Sequence, residues 1–171
     1  LLNEQQAAGR LALSSEFVPQ NSSSHIFLAL EANQLDFAQQ LISQFAHLPE
    51  SEVLLVNQST FPVGSSNQLS QVLLAGKPNN PAKRQVVSLP DLLQEGSALA
   101  GFTRPNSILL GCASSWAETQ VREILRPFNR RSDNLLVMQP QEAEFTKLAI
   151  TGMLATRLSY MNDMANLADN L

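Results

Sequence analysis

The sequence predicts an α/β fold, a mostly parallel sheet covered by helices, and two observations carry that expectation. Short apolar runs rich in Ile, Val and Leu recur between turn residues, and helix-length amphipathic segments separate them. A third observation sets the end of the chain apart. From Pro140 onward a helical pattern continues without another proline, with Gly152 as its one weak point.

Taken in order, the chain opens on "LLNEQQAAGRL", which lacks a methionine and reads as the end of a helix, so a piece of a longer protein is expected. Strands are predicted at "HIFLAL" (25–30), "VLLVNQ" (53–58), "QVVSL" (85–89), "SILLG" (107–111) and "NLLVM" (134–138). Helices are predicted at "LDFAQQLISQFAHL" (35–48), "SSNQLSQVLLAG" (65–76) and "SSWAETQVREILRPF" (114–128), the last two behind serine pairs suited to capping. The final helix, 140–171, would be about 45 Å long at about 1.5 Å per residue. Its apolar residues, among them Phe145, Ile150, Leu154, Leu158 and Met161, lie nearly all around it. Such a helix is expected to be buried on more than one side, joining this domain to another body or to a second subunit.

A chain of 171 residues, 44% of them hydrophobic and only 15% charged, can bury a core of one domain or slightly more. The net charge of −4 and the scattered placement of eleven Lys and Arg argue against a nucleic-acid partner. The single cysteine, Cys112, excludes an intrachain disulfide, and with only His25 and His47 beside it no zinc-type ligand spacing exists. Cys112 closes an apolar strand and reads as a small core residue. No apolar run approaches the roughly 20 residues that span a bilayer, so a soluble, cytoplasmic protein without a membrane partner is expected.

Three stretches carry candidate chemistry. "NQSTFPVGSS" (57–66) leaves a strand, turns at Phe-Pro and enters a helix. It is either a proline turn with a cap, or a ligand loop whose following helix start favours an anion. "LPDLLQEGSA" (89–98) follows the next strand. If residues 91–95 are helical, Asp91 and Glu95 share a face, as an exposed first turn or as paired carboxylates of a site. Lys147 sits between Phe145 and Leu148 in the long helix. Such a lysine either extends to solvent or, held in a cleft, supplies a cation beside a reacting oxygen.

In order and spacing, "QSTFPVG", "LPDLLQEGSALAGFTRPNSILLG" and "EFTKLAITGMLATRLSYMNDMANL" resemble the UDP-glucose/GDP-mannose dehydrogenase family of nucleotide-sugar 6-dehydrogenases. That family carries Lys-Ser-Thr-x-Pro-Val-Gly, then Asn-Pro-Glu-Phe-Leu-x-Glu-Gly, then Pro-x-Arg-x-x-x-Gly, and a helix with Lys-x-x-x-Asn ending near Ser-Phe-x-Asn-Glu. The resemblance implies a partial NAD-binding, Rossmann-like domain over 1–139, a central inter-domain and dimerisation helix over 140–171, NAD as cofactor and a nucleotide sugar as substrate. The family oxidises the sugar C6 hydroxyl to a carboxylate in two steps with two NAD, through a cysteine-bound intermediate. By the same resemblance Thr60 helps hold a catalytic water, and Ser59 and Thr60 lie near the cofactor. Asp91 takes the place of the catalytic glutamate, Glu95 that of the glutamate beside cofactor and sugar, and Lys147 that of the catalytic lysine.

Four positions depart from the pattern. Asp91 is one methylene shorter than Glu, Thr151 stands where the family has an asparagine one turn beyond the lysine, and Ser107 replaces the arginine of Pro-x-Arg. "HIFLAL" also runs into Glu31-Ala32-Asn33 instead of Asn-Thr-Pro. The glycine fingerprint for the NAD pyrophosphate and the nucleophilic cysteine are expected outside residues 1–171, since neither motif occurs within them. Two readings follow: the middle of a dehydrogenase active only as a complete chain, or a non-catalytic descendant serving as scaffold or binding module.

Overall fold

The computed structural model describes residues 2–17, 24–48, 52–76, 79–94, 96–128 and 133–170. Five strands, β1 (Ser24–Leu28), β2 (Val53–Asn57), β3 (Arg84–Ser88), β4 (Ile108–Gly111) and β5 (Leu135–Met138), form one sheet in the order β1-β2-β3-β4-β5. The helices are α1 (Leu2–Ala7), α2 (Leu35–Ala46), α3 (Ser65–Leu74), α4 (Ala98–Thr103), α5 (Ser115–Leu125) and α6 (Pro140–Asp169). All five predicted strands and the four longer predicted helices are present.

β2 lies inside the sheet and is buried along its whole length. Its residues alternate between two cores. Val53 and Leu55 pack with Ile42 and Phe45 of α2 and Leu69 and Leu73 of α3. Leu54 and Val56 pack with Val87, Leu110 and, from α5, Ala117, Val121 and Leu125. This alternation is why a nearly continuous apolar run forms a central strand with helices on both faces.

The expectation of a parallel sheet holds for β1-β2-β3 and for β4-β5, but β4 runs antiparallel to β3 through the pair Ser88–Gly111. The connection explains the reversal. Between β3 and β4 the chain forms a helix of only six residues, α4, rather than a full helical crossover back to the opposite sheet edge.

Arg84, at the start of β3, is fully buried. Its guanidinium donates to the carbonyls of Phe45 at 2.9 Å and Leu73 at 3.4 Å, and also to that of Leu48. It therefore satisfies carbonyls at the ends of α2 and α3 together, where helix dipoles favour a cation. Burial lowers its pKa from the ordinary guanidinium value. Gly76 lets the end of α3 pass the end of α2, since a Cβ there would lie 1.6 Å from the Ala46 oxygen.

The caps divide the expectations. Ser114 caps α5, its hydroxyl accepting from the Ala117 N–H at 3.4 Å. The serine pair 65–66 does not cap α3; both residues lie inside the helix, and Gly64 takes the cap position with φ 95°. A left-handed residue at that turn leaves no room for a β-region serine cap.

α6 begins with Pro140 at its first position behind a capping box formed by Gln139 and Glu142, and runs 30 residues. Its root packs on the sheet: a Cβ on Gly111 would lie 2.6 Å from Pro140 Cα and 2.9 Å from Ala143 Cβ. Every residue from Leu148 to Asn170 is exposed within this chain, so the burial expected on several sides of α6 would have to come from a body other than these residues.

Candidate functional site

The carboxyl ends of β2 and β3 lie side by side and carry the two loops singled out from sequence. The first loop is held by side chains folded back onto the sheet. Asn57, buried at the end of β2, accepts the Ser59 N–H through Oδ1 at 3.1 Å. The Ser59 hydroxyl donates to the Leu28 carbonyl at 3.2 Å and accepts the Leu30 N–H at 2.9 Å. Ser59 thus ties the loop to the end of β1. Thr60 follows, half-buried, ahead of Phe61, which enters the core.

The start of α3 answers the question of an anion. Glu144, the fifth residue of α6, turns its carboxylate into that helix start and is only 6% exposed. One oxygen accepts the Gly64 N–H at 2.6 Å; the other accepts the Ser66 N–H at 2.8 Å and the Ser65 hydroxyl at 3.1 Å. The anion at this helix N-terminus is a side chain of the protein itself, and its charge opposes the positive end of the α3 dipole.

The second loop follows β3 through buried Ser88, Leu89 and Pro90 and reaches the surface at Asp91. The Leu89 N–H donates to the Asn57 carbonyl at 2.8 Å, which joins this loop to the first. Residues 91–94 are not helical, so the shared helical face expected for Asp91 and Glu95 does not form; α4 starts only at Ala98. Asp91 instead accepts the Leu93 N–H through Oδ1 at 2.6 Å. A short acidic side chain favours that local turn over a helix. Glu95 lies outside the described residues.

Lys147 comes down from α6 onto this loop. It is half-buried, and its ammonium donates to the Asp91 carbonyl oxygen. Thr151, one turn further, is exposed and donates its hydroxyl to the Lys147 carbonyl at 3.0 Å. Beneath the second loop opens a cleft of about 330 Å³ lined by Gln58, Asp91, Phe102, Arg104, Ser107 and Phe128, among others. The fold thus brings Asp91 and Lys147 together and puts Asp91 and Ser107 on the cleft. Ser59 is spent on β1, and Thr151 on its own helix.

Cys112 is buried in the core beside Val121 and Leu135, and its thiol donates to the Ser114 carbonyl at 3.0 Å. Burial, above all, raises its pKa from the ordinary thiol value. A core role follows, as the sequence suggested. Sequence reasoning gave Glu144 no role. The available signal was its spacing: three residues before Lys147, it shares that residue's face of α6.

Helices packed on both faces of a mostly parallel sheet, with loops gathered at the carboxyl ends of adjacent strands, define an open α/β domain, the class that binds ligands beyond those strand ends. Residues 2–129 match the model of the UDP-glucose/GDP-mannose dehydrogenase family, NAD binding domain, and the chain belongs to that family. A UDP-glucose 6-dehydrogenase of Pseudomonas aeruginosa is 37% identical over 116 residues, covering 67% of this chain and 26% of the relative. Among solved structures, a UDP-glucose dehydrogenase from Pyrobaculum islandicum superposes with a TM-score of 0.72 at 24% identity, covering 95% of this chain and 39% of the other. The UDP-N-acetyl-mannosamine dehydrogenase of Staphylococcus aureus gives 0.74 at 15%, covering 98% and 42%. At such identities these likenesses concern the fold. The chain spans about a quarter of the length of the curated relative and about two-fifths of these structures.

Proposed function

We propose that this chain is the later part of the NAD-binding domain, residues 1–139, and the inter-domain helix, residues 140–171, of an NAD-dependent nucleotide-sugar 6-dehydrogenase. The sugar substrate is of the UDP-glucose or GDP-mannose type. The observation that carries the reading is the meeting of Lys147 with the Asp91 loop, which joins the motif-bearing helix to the motif-bearing loop at the carboxyl edge of the sheet. In this reading NAD, when bound, accepts hydride from the sugar C6.

The residues present fit such a cofactor in part. The start of α3 is filled by the Glu144 carboxylate, which takes the place an anionic phosphate would need there. Half-buried Thr60 and the turn after β1 are the groups at the carboxyl edge available to it, while the Ser59 hydroxyl is engaged with the Leu28 carbonyl and the Leu30 N–H. The Asn57 side-chain nitrogen is buried at the same edge without a hydrogen-bond partner, so this edge keeps an unused donor.

The roles of the protein's own groups follow from their chemistry. Lys147 holds a positive charge beside the sugar oxygen, stabilising an oxyanion as the C–H bond breaks. Asp91, at the rim of the cleft, takes the proton, and Thr60 orients a water by its hydroxyl. Glu95 binds cofactor and sugar. The exposed apolar face of α6, which includes Leu154, Leu158 and Met161, is covered by a second copy in a homodimer.

The test is to express the complete reading frame and follow NAD reduction with UDP-glucose, GDP-mannose and related sugars, with calorimetry for NAD and sedimentation for the dimer. Turnover with one of these sugars is the expected result. Neither turnover nor NAD binding would return the chain to the scaffold reading, which the engaged side chains of Asp91 and Thr151 favour.

A further inference from the structure

We propose that Glu144 is a positioning residue for Lys147: its carboxylate, locked into the start of α3, sets the rotation and depth of α6 so that Lys147 meets the Asp91 loop. Glu144 and Lys147 are three residues apart and share one face of the helix. That face engages both loops at the carboxyl edge. Glu144 takes the end of the first, at Gly64, Ser65 and Ser66, and Lys147 takes the second, at Asp91.

Among the described residues, α6 is exposed from Leu148 to Asn170, so its attachment within this chain lies in its first two turns. Pro140 and Ala143 rest against Gly111 of β4 by close approach of backbone and methyl group, behind the capping box of Gln139 and Glu142. An apolar contact of this kind tolerates rotation about the helix axis; three hydrogen bonds converging on one buried carboxylate do not. Glu144 is therefore the group that converts a helix resting on a sheet into a helix with a defined angular setting. Gly64 belongs to the same device. Its φ of 95° turns its N–H towards the carboxylate, and a side chain there would be strained.

The proposal rests on Lys147 being a site residue, and its test separates the two. In the complete protein, Glu144→Gln keeps the shape of the side chain but replaces one accepting oxygen with a donor, which cannot face an N–H. Two measurements apply. The rate at which acetic anhydride labels Lys147, read by mass spectrometry against Lys83 as internal standard, reports whether the ammonium is still held on the loop. Lys83 pairs with Glu52 and is independent of α6. Steady-state kinetics report the reaction.

Glu144→Gln is expected to raise Lys147 labelling severalfold with Lys83 unchanged, and to lower kcat about 10-fold or more while KM for NAD stays within about twofold. A lower melting temperature with Lys147 labelling and kcat unchanged would overturn the proposal and leave Glu144 a purely structural anchor. If Glu144→Gln does not fold, Glu144→Asp, which keeps the charge and retracts it by one methylene, is read by the same two criteria. If the wild-type protein turns over no sugar, the dehydrogenase reading fails, and the labelling ratio alone decides the positioning role.

Discussion

Lys147 and Asp91 meet through the main chain: the lysine ammonium donates to the Asp91 carbonyl, while the Asp91 carboxylate holds the Leu93 N–H at 2.6 Å. The two charged groups are neighbours without forming an ion pair with each other. The aspartate spends its side chain on shaping its own loop, and that loop offers the lysine an oxygen.

Replacing Asp91 by Glu tests what that arrangement costs. A glutamate is a poorer local turn acceptor, so its carboxylate is released from Leu93 and extends further into the cleft. In the complete enzyme Asp91→Glu is expected to raise the rate of NAD reduction, by up to about 100-fold if the shorter side chain misplaces the base by about 1 Å. An unchanged or slower rate would remove Asp91 from the role of base.

Arg84 supplies the hydrogen bonds that end α2 and α3, and no water reaches it. Arg84→Met keeps much of the volume but leaves the Phe45, Leu48 and Leu73 carbonyls without that donor. A loss of about 2 kcal/mol is expected from the lost charge-assisted hydrogen bonds, the Phe45 carbonyl keeping the Leu48 N–H at 3.1 Å. Urea unfolding of the protein measures it, and a change below about 0.5 kcal/mol, the scale of an ordinary surface substitution, would show that these carbonyls find other partners.

Gly111 is the seat of α6 on the sheet. A methyl group there would stand 2.6 Å from the Pro140 backbone, which cannot move aside as a flexible side chain can. Gly111→Ala is expected to cost about 1–3 kcal/mol by overpacking and to displace the helix root. Raised protease cleavage between α5 and α6 would report the displacement; wild-type stability and cleavage would contradict it.

Cys112 makes stability depend on pH in the alkaline range. Burial holds the folded thiol above its ordinary value of 9.0, so the unfolded chain ionises first as pH rises. The stability linked to the neutral thiol is complete below that ordinary value. It declines as pH rises through it, and is lost once the folded thiol also titrates. The wild type should therefore lose stability relative to Cys112→Ala when unfolding is compared on either side of that pH. A difference between the two that stays constant with pH would show that the thiol titrates alike in both states. Iodoacetamide should react slowly with the folded protein at neutral pH.

Much of this was legible in the sequence. The strands announced themselves because a strand buried on both faces needs an unbroken apolar run, and β2 is such a strand. α6 was legible because proline is absent beyond its first position. Less visible was the direction of β4, because strand patterning carries no sign of direction and the six residues of α4 were too few to mark a pattern.

The site divides along the same line. Residue types and spacing picked out Asp91 and Lys147, whose contact spans 56 positions of sequence, and the family motifs gave each a place. Glu144 escaped because an acid in the first turns of a helix is ordinary on dipole grounds alone. Only tertiary structure decided that its carboxylate enters another helix's N-terminus, that Ser59 faces β1, and that Asp91 caps its own turn. The physical reason is that periodicity records which face of an element is apolar, whereas the partner of a polar group depends on which unsatisfied donor the fold brings within hydrogen-bonding distance.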